Sequence, residues 1–229
     1  MSELGPFGSG GPFEDLMKNL ARLFSSQGPV NWEIARQIAL WTSTGGQADS
    51  NPEPLTRVRL EELLRVAELH VGEATGLPLS SSGMLRAKVV NKSEWATRTL
   101  EAWHPWFERL AAAMTADEIS TSTEALERPQ EGAEQMAQLF SNLPQLLGPV
   151  LFGLQAGAMV GQLAARAMGQ YDLPMPRPAS DELLFVARTI DDFASDWSLP
   201  PDDVRLWTCL REVSVHAVLG RPDVRARLD

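Results

Sequence analysis

LWTCLREVSVHAVL, residues 206–219, reads as one helix in a chain where helical periodicity dominates. Asp202 and Asp203 precede it, where carboxylates interact favourably with the positive end of a helix dipole. Glu212 and His216 are four residues apart and therefore share a helix face. We expect a structural carboxylate–imidazole pair there, because two ligands are too few for a tight zinc site.

The rest of the chain also predicts helices. Asn31 is placed to cap a helix that begins at Trp32, and a long helix over residues 55–75 should end at Gly76. No run of alternating strand residues occurs, although residues 89–90 could form a short extended piece. Ser180, followed by two acidic residues, is read as a helix start. The predicted fold class is therefore all-α, or mainly α, with little or no sheet.

Composition suggests how the chain is organised. Residues 1–12 are rich in glycine and proline and predict a flexible leader, and residues 13–114 form an N-terminal helical part. Residues 115–130 contain almost nothing apolar and predict a mobile linker. Residues 131–229 form the remaining part, which either stands alone or makes one domain with residues 13–114.

Charge and cysteine content limit the partners and the compartment. The formal net charge of −10 over 229 residues argues against nucleic acid or an anionic membrane surface as the main partner. The single cysteine, Cys209, excludes an internal disulfide and is read as a small core residue. Residues 1–12 have neither the basic region nor the apolar block of a secretory signal. These features predict a cytoplasmic protein.

One uncharged segment, residues 135–165, raises the question of a membrane span. Gly153, Gly157 and Gly161 recur at four-residue spacing, which allows helices to approach closely. Several glutamines interrupt the segment, Pro144, Gly148 and Pro149 break its first part, and no basic cluster flanks it. We therefore expect a core helix whose glycine face meets a close neighbour, and no membrane span.

The 206–219 helix also carries part of a catalytic pattern. In zinc proteases, His-Glu-x-x-His places two imidazoles one turn apart, and the glutamate acts as general base on the zinc-bound water. Glu212 stands at the glutamate position, but Arg211 and Val215 stand at the two histidine positions. Arginine stays protonated, and His216 lies about 100° too far round the helix. The zinc site is predicted to be broken, with Glu212 as the one candidate catalytic residue and no metal ligands.

Further segments share a family likeness. They are GPVLFGLQAGAMVG at 148–161, GQYDLP at 169–174, PASDELL at 178–184 and WSLP at 197–200. With residues 206–219, they resemble a bacterial family of zincin-like metallohydrolases, often labelled zinc-dependent metalloproteases or proteins associated with deazaflavin-coenzyme biosynthesis. The resemblance is dense from about residue 143 onward and looser over residues 67–78. Typical members read LHEVTH where residues 210–215 read LREVSV, so Glu212 is the only functional residue of the motif that carries over.

The resemblance implies zinc as cofactor and hydrolysis as activity, but both expected ligands are replaced here. Family members continue well beyond this motif, whereas this chain ends 13 residues after His216. The resemblance therefore implies that any later ligand is absent from this polypeptide, and we expect no cofactor.

The other histidines, His70 and His104, are weaker candidates. His70 has Glu73 three residues further on, and such pairs can bind metal, but a surface or half-buried helix position is the simpler interpretation. His104 lies between Trp103 and Pro105, which favours an aromatic cluster.

Three hypotheses follow. The first is a zincin-like domain with a degenerate zinc site and no peptidase activity. The second is a helical scaffold that binds a protein partner or a second copy of itself. The third is a working zinc hydrolase that draws its ligands from His70, His104, His216 and acidic residues.

Overall fold

The computed structural model of the chain describes residues 28–123 and 134–228. The elements in chain order are α1 (Trp32–Thr44), α2 (Pro54–Thr75), β1 (Arg86–Val90), α3 (Lys92–Thr123), α4 (Glu134–Arg166), β2 (Glu182–Val186), α5 (Ala187–Asp196), α6 (Pro201–Leu219) and α7 (Pro222–Leu228). The protein is mainly α-helical, as the sequence predicted, and the described strands are short.

Local sequence explains several of the boundaries. The Asn31 side chain accepts the N–H of Ile34 at 3.1 Å and caps α1, as expected. Gly76 ends α2 in the left-handed conformation at φ +64°, where its N–H bonds to the Gly72 carbonyl oxygen. The predicted extended piece at residues 89–90 is the end of β1. Helix α3 continues through Pro105, although proline within a helix removes a backbone hydrogen bond.

The predicted helix start at Ser180 was wrong. Residues from Glu182 to Val186 form β2, which pairs in parallel with β1 in the register Arg86 to Glu182 through Val90 to Val186. Leu183, Leu184, Phe185 and Val186 are all buried, and a parallel strand covered on both faces reads as a continuous apolar run. This apolar run outweighs the acidic residues before it, and the helix begins only at Ala187.

The chain divides into two compact units. The first contains the described residues of Met1–Ala35 and Pro105–Ala156, and the second those of Arg36–His104 and Gly157–Asp229. Both of the predicted parts, 13–114 and 131–229, contribute residues to each unit. The predicted leader, residues 13–27 of the predicted N-terminal part and residues 124–130 of the predicted linker lie outside the described residues. The backbone of residues 115–123 forms the last part of α3.

The main apolar core lies in the second unit. Helices α2 and α6 make the most extensive contact between elements there, and α5, β1 and β2 complete the cluster. Leu60 and Leu64 of α2, Phe185 of β2, Ile190 of α5 and Val213 of α6 are all buried in it. This packing fixes which face of α6 points inward.

Helix α4 runs through Pro144, Gly148 and Pro149, which were expected to break it. Within the first unit, a Cβ at Gly153 would overlap the carbonyl oxygen of Asn31. Within the second unit, a Cβ at Gly161 would come 2.8 Å from the carbonyl oxygen of Ala39 on α1. The close neighbour that was predicted for the glycine face is therefore present at Gly153 and at Gly161.

One stretch of the described residues, Leu147–Arg166 in α4, is long and apolar enough to cross a membrane. Its mean hydropathy is 1.3, and 33 % of it is buried within the protein. Core helices of water-soluble proteins also reach this length and composition.

Candidate functional site

Helix α6 places the Glu212 side chain inside the second unit. The helix begins after Pro200, carries Asp202 and Asp203 in its first turn as expected, and packs its inner face against α2. Glu212 lies on that inner face next to Val213, and it is 0 % exposed. A carboxylate this deeply buried is stable only if hydrogen-bond donors reach its oxygens.

The donors come from a loop and from α6 itself. The Tyr171 N–H donates to Glu212 Oε2 at 2.7 Å, and Arg211 Nη1 donates to Glu212 Oε1 at 2.7 Å. Gly169 lies against the same carboxylate, because a Cβ there would be 2.5 Å from Oε1 and 2.6 Å from Cγ. Glycine at position 169 therefore lets the loop backbone come close enough to α6 for the Tyr171 bond to form.

The Arg211 guanidinium also binds the loop. Its Nη1 donates to Asp172 Oδ1 at 2.9 Å, and its Nη2 donates to the Tyr171 carbonyl oxygen at 3.1 Å. The second carboxylate oxygen of Asp172 accepts the N–H groups of Met168 and Gly169. One guanidinium therefore stands between two carboxylates and ties residues 168–172 to α6.

Opposing effects set the pKa of Glu212. Burial raises the pKa of Glu212 to about 7, and the nearby carboxylate of Asp172 adds to this rise. The Tyr171 N–H and the charge of Arg211 act in the opposite direction, because both favour the ionised carboxylate. The protonation state of Glu212 is thus sensitive to pH near neutrality.

His216 does not pair with Glu212, so that prediction was wrong. Its Nδ1 lies 3.0 Å from the Tyr171 hydroxyl oxygen instead. Burial lowers the pKa of His216 and raises the pKa of Tyr171. A neutral imidazole can accept the phenol proton at Nδ1. Tyr171 therefore bridges the two α6 residues, with its backbone on Glu212 and its side chain on His216.

The other sequence candidates lie elsewhere. His70 is exposed on α2, and His104 is half-buried on α3. Cys209 is fully buried in the core as expected, and burial raises the pKa of its thiol to about 12. Across residues 28–123 and 134–228, no three His, Cys, Asp or Glu side chains form a group that could hold a metal ion.

Sequence reasoning missed the contribution of the loop. Gly169, Tyr171 and Asp172 were noticed only as part of a family likeness. Tyr171 and Asp172 lie about 40 positions before the α6 residues that they contact, so no local pattern connects them. Their one local signal was the glycine next to a polar and aromatic pair in a segment rich in proline.

Residues 30–220, which make up most of the chain, match the zincin-like metallopeptidase family. This chain belongs to the zincin-like metallopeptidase family. No curated protein matches it.

A solved structure supports the same relationship. The crystal structure of a "putative hydrolase with a novel fold" from Chloroflexus aurantiacus is 25 % identical in sequence, with a TM-score of 0.54. The match covers 86 % of this zincin-like chain and 56 % of the Chloroflexus chain. The protein described here therefore spans little more than half the length of that relative.

Proposed function

We propose that this chain is a non-catalytic member of its family, in which α6 is kept as a structural element. The observation that carries the proposal is the burial of Glu212, which is 0 % exposed with both oxygens bonded by Arg211 and Tyr171. A general base must lie within hydrogen-bond reach of the water that it activates. Glu212 offers no such access, so the family's catalytic glutamate serves here as an anchor for the loop.

Zinc, which the family name implies, does not fit the groups around this helix. A catalytic zinc site needs three protein ligands and one open position. Arg211 stays protonated and Val215 has no donor atom, while Asp172 and Glu212 are already bonded to the guanidinium. His216 Nδ1 is engaged by the Tyr171 hydroxyl. We infer that the positive charge beside Glu212 is supplied by Arg211 rather than by a metal ion.

The alternative is a working hydrolase whose ligands lie outside the motif. It would require His70, His104 or His216 to share a metal ion with acidic residues. His70 is exposed on α2, and the carboxylate of nearby Glu68 is bonded to the Leu85 N–H at 3.0 Å. These contacts favour the non-catalytic hypothesis.

Restoring the motif tests the proposal. Arg211→His together with Val215→His rebuilds His-Glu-x-x-His around Glu212, and it also removes the guanidinium from Asp172 and Glu212. We expect the double variant to bind zinc with affinity of about micromolar or better, because two imidazoles one turn apart would then lie beside two carboxylates. We expect no peptide cleavage, because a catalytic zinc site needs a third protein ligand and an open position for water, and the two substitutions supply only two imidazoles.

A matched control uses another pair one turn apart on the same helix. Ser214 and Val218 are both exposed, so Ser214→His with Val218→His creates two imidazoles away from Asp172 and Glu212. The restored motif should bind zinc more tightly than this control pair. Equal affinity in calorimetric titrations would show that positions 211 and 215 do not face the two carboxylates together. Cleavage of a peptide library by the wild-type chain with zinc would contradict the non-catalytic proposal directly.

A further inference from the structure

Arg177 is a buried cation that forms no salt bridge with a carboxylate of the described residues, although Glu212 attracts its charge at longer range. It is 9 % exposed, and it lies in the segment of residues 172–178 that crosses from the loop to β2. Its Nη2 donates to the Thr99 hydroxyl at 2.7 Å, whereas its buried Nε has no hydrogen-bond partner. Burying a charge without a counter-ion is costly, so such groups are usually paired.

Two aromatic rings hold the guanidinium in place. Its Cζ lies 5.6 Å from the ring centroid of Trp95 and 5.4 Å from that of Trp103. Cation–π contacts offset part of the cost of burial, but they do not neutralise the charge. Burial lowers the pKa of Arg177 to about 10, so the side chain is still a cation at neutral pH. A bound anion could neutralise this charge and accept a hydrogen bond from the guanidinium.

A cavity of about 230 Å³ lies next to Arg177. Tyr171, Ser180, His216 and Arg225 line it together with Arg177. The one carboxylate in its wall, Asp181, already accepts the Ser81 N–H at 2.7 Å, the Ser81 hydroxyl at 2.8 Å and the Ser82 N–H at 2.8 Å. His216 is neutral, so the charged groups of the wall are Arg177, Arg225 and Asp181. Their sum is one positive charge.

The side chains that line this cavity indicate which class of ligand it could bind. Leu79, Pro178 and Leu219 supply apolar surface, and the Ser180 hydroxyl can donate a hydrogen bond to a carboxylate. A single excess positive charge with apolar surroundings suits a monoanion that has an apolar body, rather than a free phosphate dianion. We propose that this cavity is a binding site for a small organic carboxylate, whose negative charge pairs with the buried guanidinium of Arg177.

A second cavity beside Arg177 does not have this character. It measures about 260 Å³, and Arg98, Glu101 and Glu182 line it together with Arg177. That wall holds two arginines and two glutamates, so its charges balance, and Arg98 is paired with Glu182 at 3.3 Å. The cavity that contains Tyr171 and His216 is therefore the one that attracts an anion.

Benzoate is a suitable probe because it combines one carboxylate with a small apolar body. We expect saturable binding of benzoate to the full chain in a buffer free of carboxylates. It should be seen as shifts of the indole N–H resonances of Trp95 and Trp103. Benzamide, the neutral analogue, should not bind, and inorganic phosphate should bind more weakly than benzoate.

Substitutions of Arg177 test whether its guanidinium binds the benzoate carboxylate. Arg177→Met should lose at least about ten-fold in benzoate affinity, because the counter-charge is removed. Arg57→Met, which removes an exposed arginine on α2, should bind like the wild type. If the Met variant does not fold, Arg177→Lys keeps the charge but lacks the planar fork, and it should still bind benzoate more weakly than the wild type.

Three results would overturn the proposal. They are the absence of saturable benzoate binding to the wild type, binding of benzoate by the Arg177→Met variant as tight as that of the wild type, and binding of benzamide as tight as that of benzoate. Binding of phosphate in preference to benzoate would overturn the carboxylate assignment. None of these results depends on whether the chain is catalytically active.

Discussion

At the level of single residues, the geometry around Glu212 depends on Gly169. Its position leaves no room for a side chain, since a Cβ would come 2.5 Å from Glu212 Oε1. Its N–H also binds Asp172, and its carbonyl oxygen accepts Trp95 Nε1–H at 2.8 Å. The backbone is therefore held on both sides and cannot easily move away from an added methyl group.

We expect Gly169→Ala to lower the free energy of unfolding by about 1–3 kcal/mol, or more if the Tyr171 bond to Glu212 is lost. Chemical denaturation measures this cost. Glu212→Ala shortens the side chain that the new methyl group would meet, so Gly169→Ala should cost much less in that background. An equal cost in both backgrounds would show that Glu212 is not what excludes a side chain at position 169.

The raised pKa of Glu212 predicts a pH dependence of stability. In the unfolded chain the group titrates near 4.5, and in the folded chain near about 7. The folded state therefore binds the proton more tightly, and this contribution is complete below about pH 4.5 and lost as the pH rises to about 7. Its size is about 3 kcal/mol.

Urea unfolding of the wild type and Glu212→Gln at about pH 5 and about pH 8 measures this contribution. The wild type should lose stability relative to the variant as the pH rises, because only the wild type must ionise a buried carboxyl. If the difference stays constant, Glu212 is ionised throughout that range and Arg211 outweighs the effect of burial.

Residue-level prediction from the sequence succeeded where the signal was local. The burial of Cys209 and the cap at Asn31 follow from immediate neighbours in the chain. The partner of His216 could not be predicted, because Tyr171 is 45 positions away and reaches it only when residues 168–172 pack on α6. The unpaired charge of Arg177 was missed for the same reason, since Trp95, Thr99 and Trp103 belong to a distant helix.

At the level of elements, most helices could be predicted from apolar spacing and from their end signals. The error at β2 shows the limit of that approach. Residues 183–186 are a short apolar run that suits a buried strand or a helix turn, and the choice depends on the partner strand β1. The acidic residues before the run favoured the wrong alternative.

The glycine face of α4 is an element-level feature with a measurable energy. Gly161→Ala would place a methyl group 2.6 Å from Thr42 Cβ and 2.8 Å from the Ala39 carbonyl oxygen. We expect it to lower the free energy of unfolding by about 1–3 kcal/mol, because backbone atoms of α1 cannot move aside cheaply.

Gly72→Ala is the matched control for this substitution. Gly72 is also a helical glycine, but a Cβ there would make only an ordinary contact, 3.6 Å from Leu79 Cδ1. The control should stabilise the protein by about 0.5–1 kcal/mol, because alanine is the better helix former. If both variants are more stable than the wild type, the close approach between α1 and α4 in the second unit is not present in solution.

At the level of the whole molecule, family membership and inferred activity diverge. The match over residues 30–220 shows that the chain belongs to the zincin-like metallopeptidase family, while Arg211 and Val215 stand where the zinc-protease pattern has ligands. The expected protein partner and the cytoplasmic compartment stay predictions. The fold class was predictable because the helices carry local signals, whereas the proposed loss of catalysis depends on how a distant loop meets α6.

We propose that Arg211, and not a metal ion, provides the positive charge beside Glu212. The most direct test is the zinc content, measured by mass spectrometry, of protein that has been incubated with excess zinc and then dialysed. We expect far less than one zinc ion per chain, because Arg211 and Val215 cannot act as ligands. One zinc ion per chain, retained through dialysis and lost in the His216→Ala variant, would contradict it.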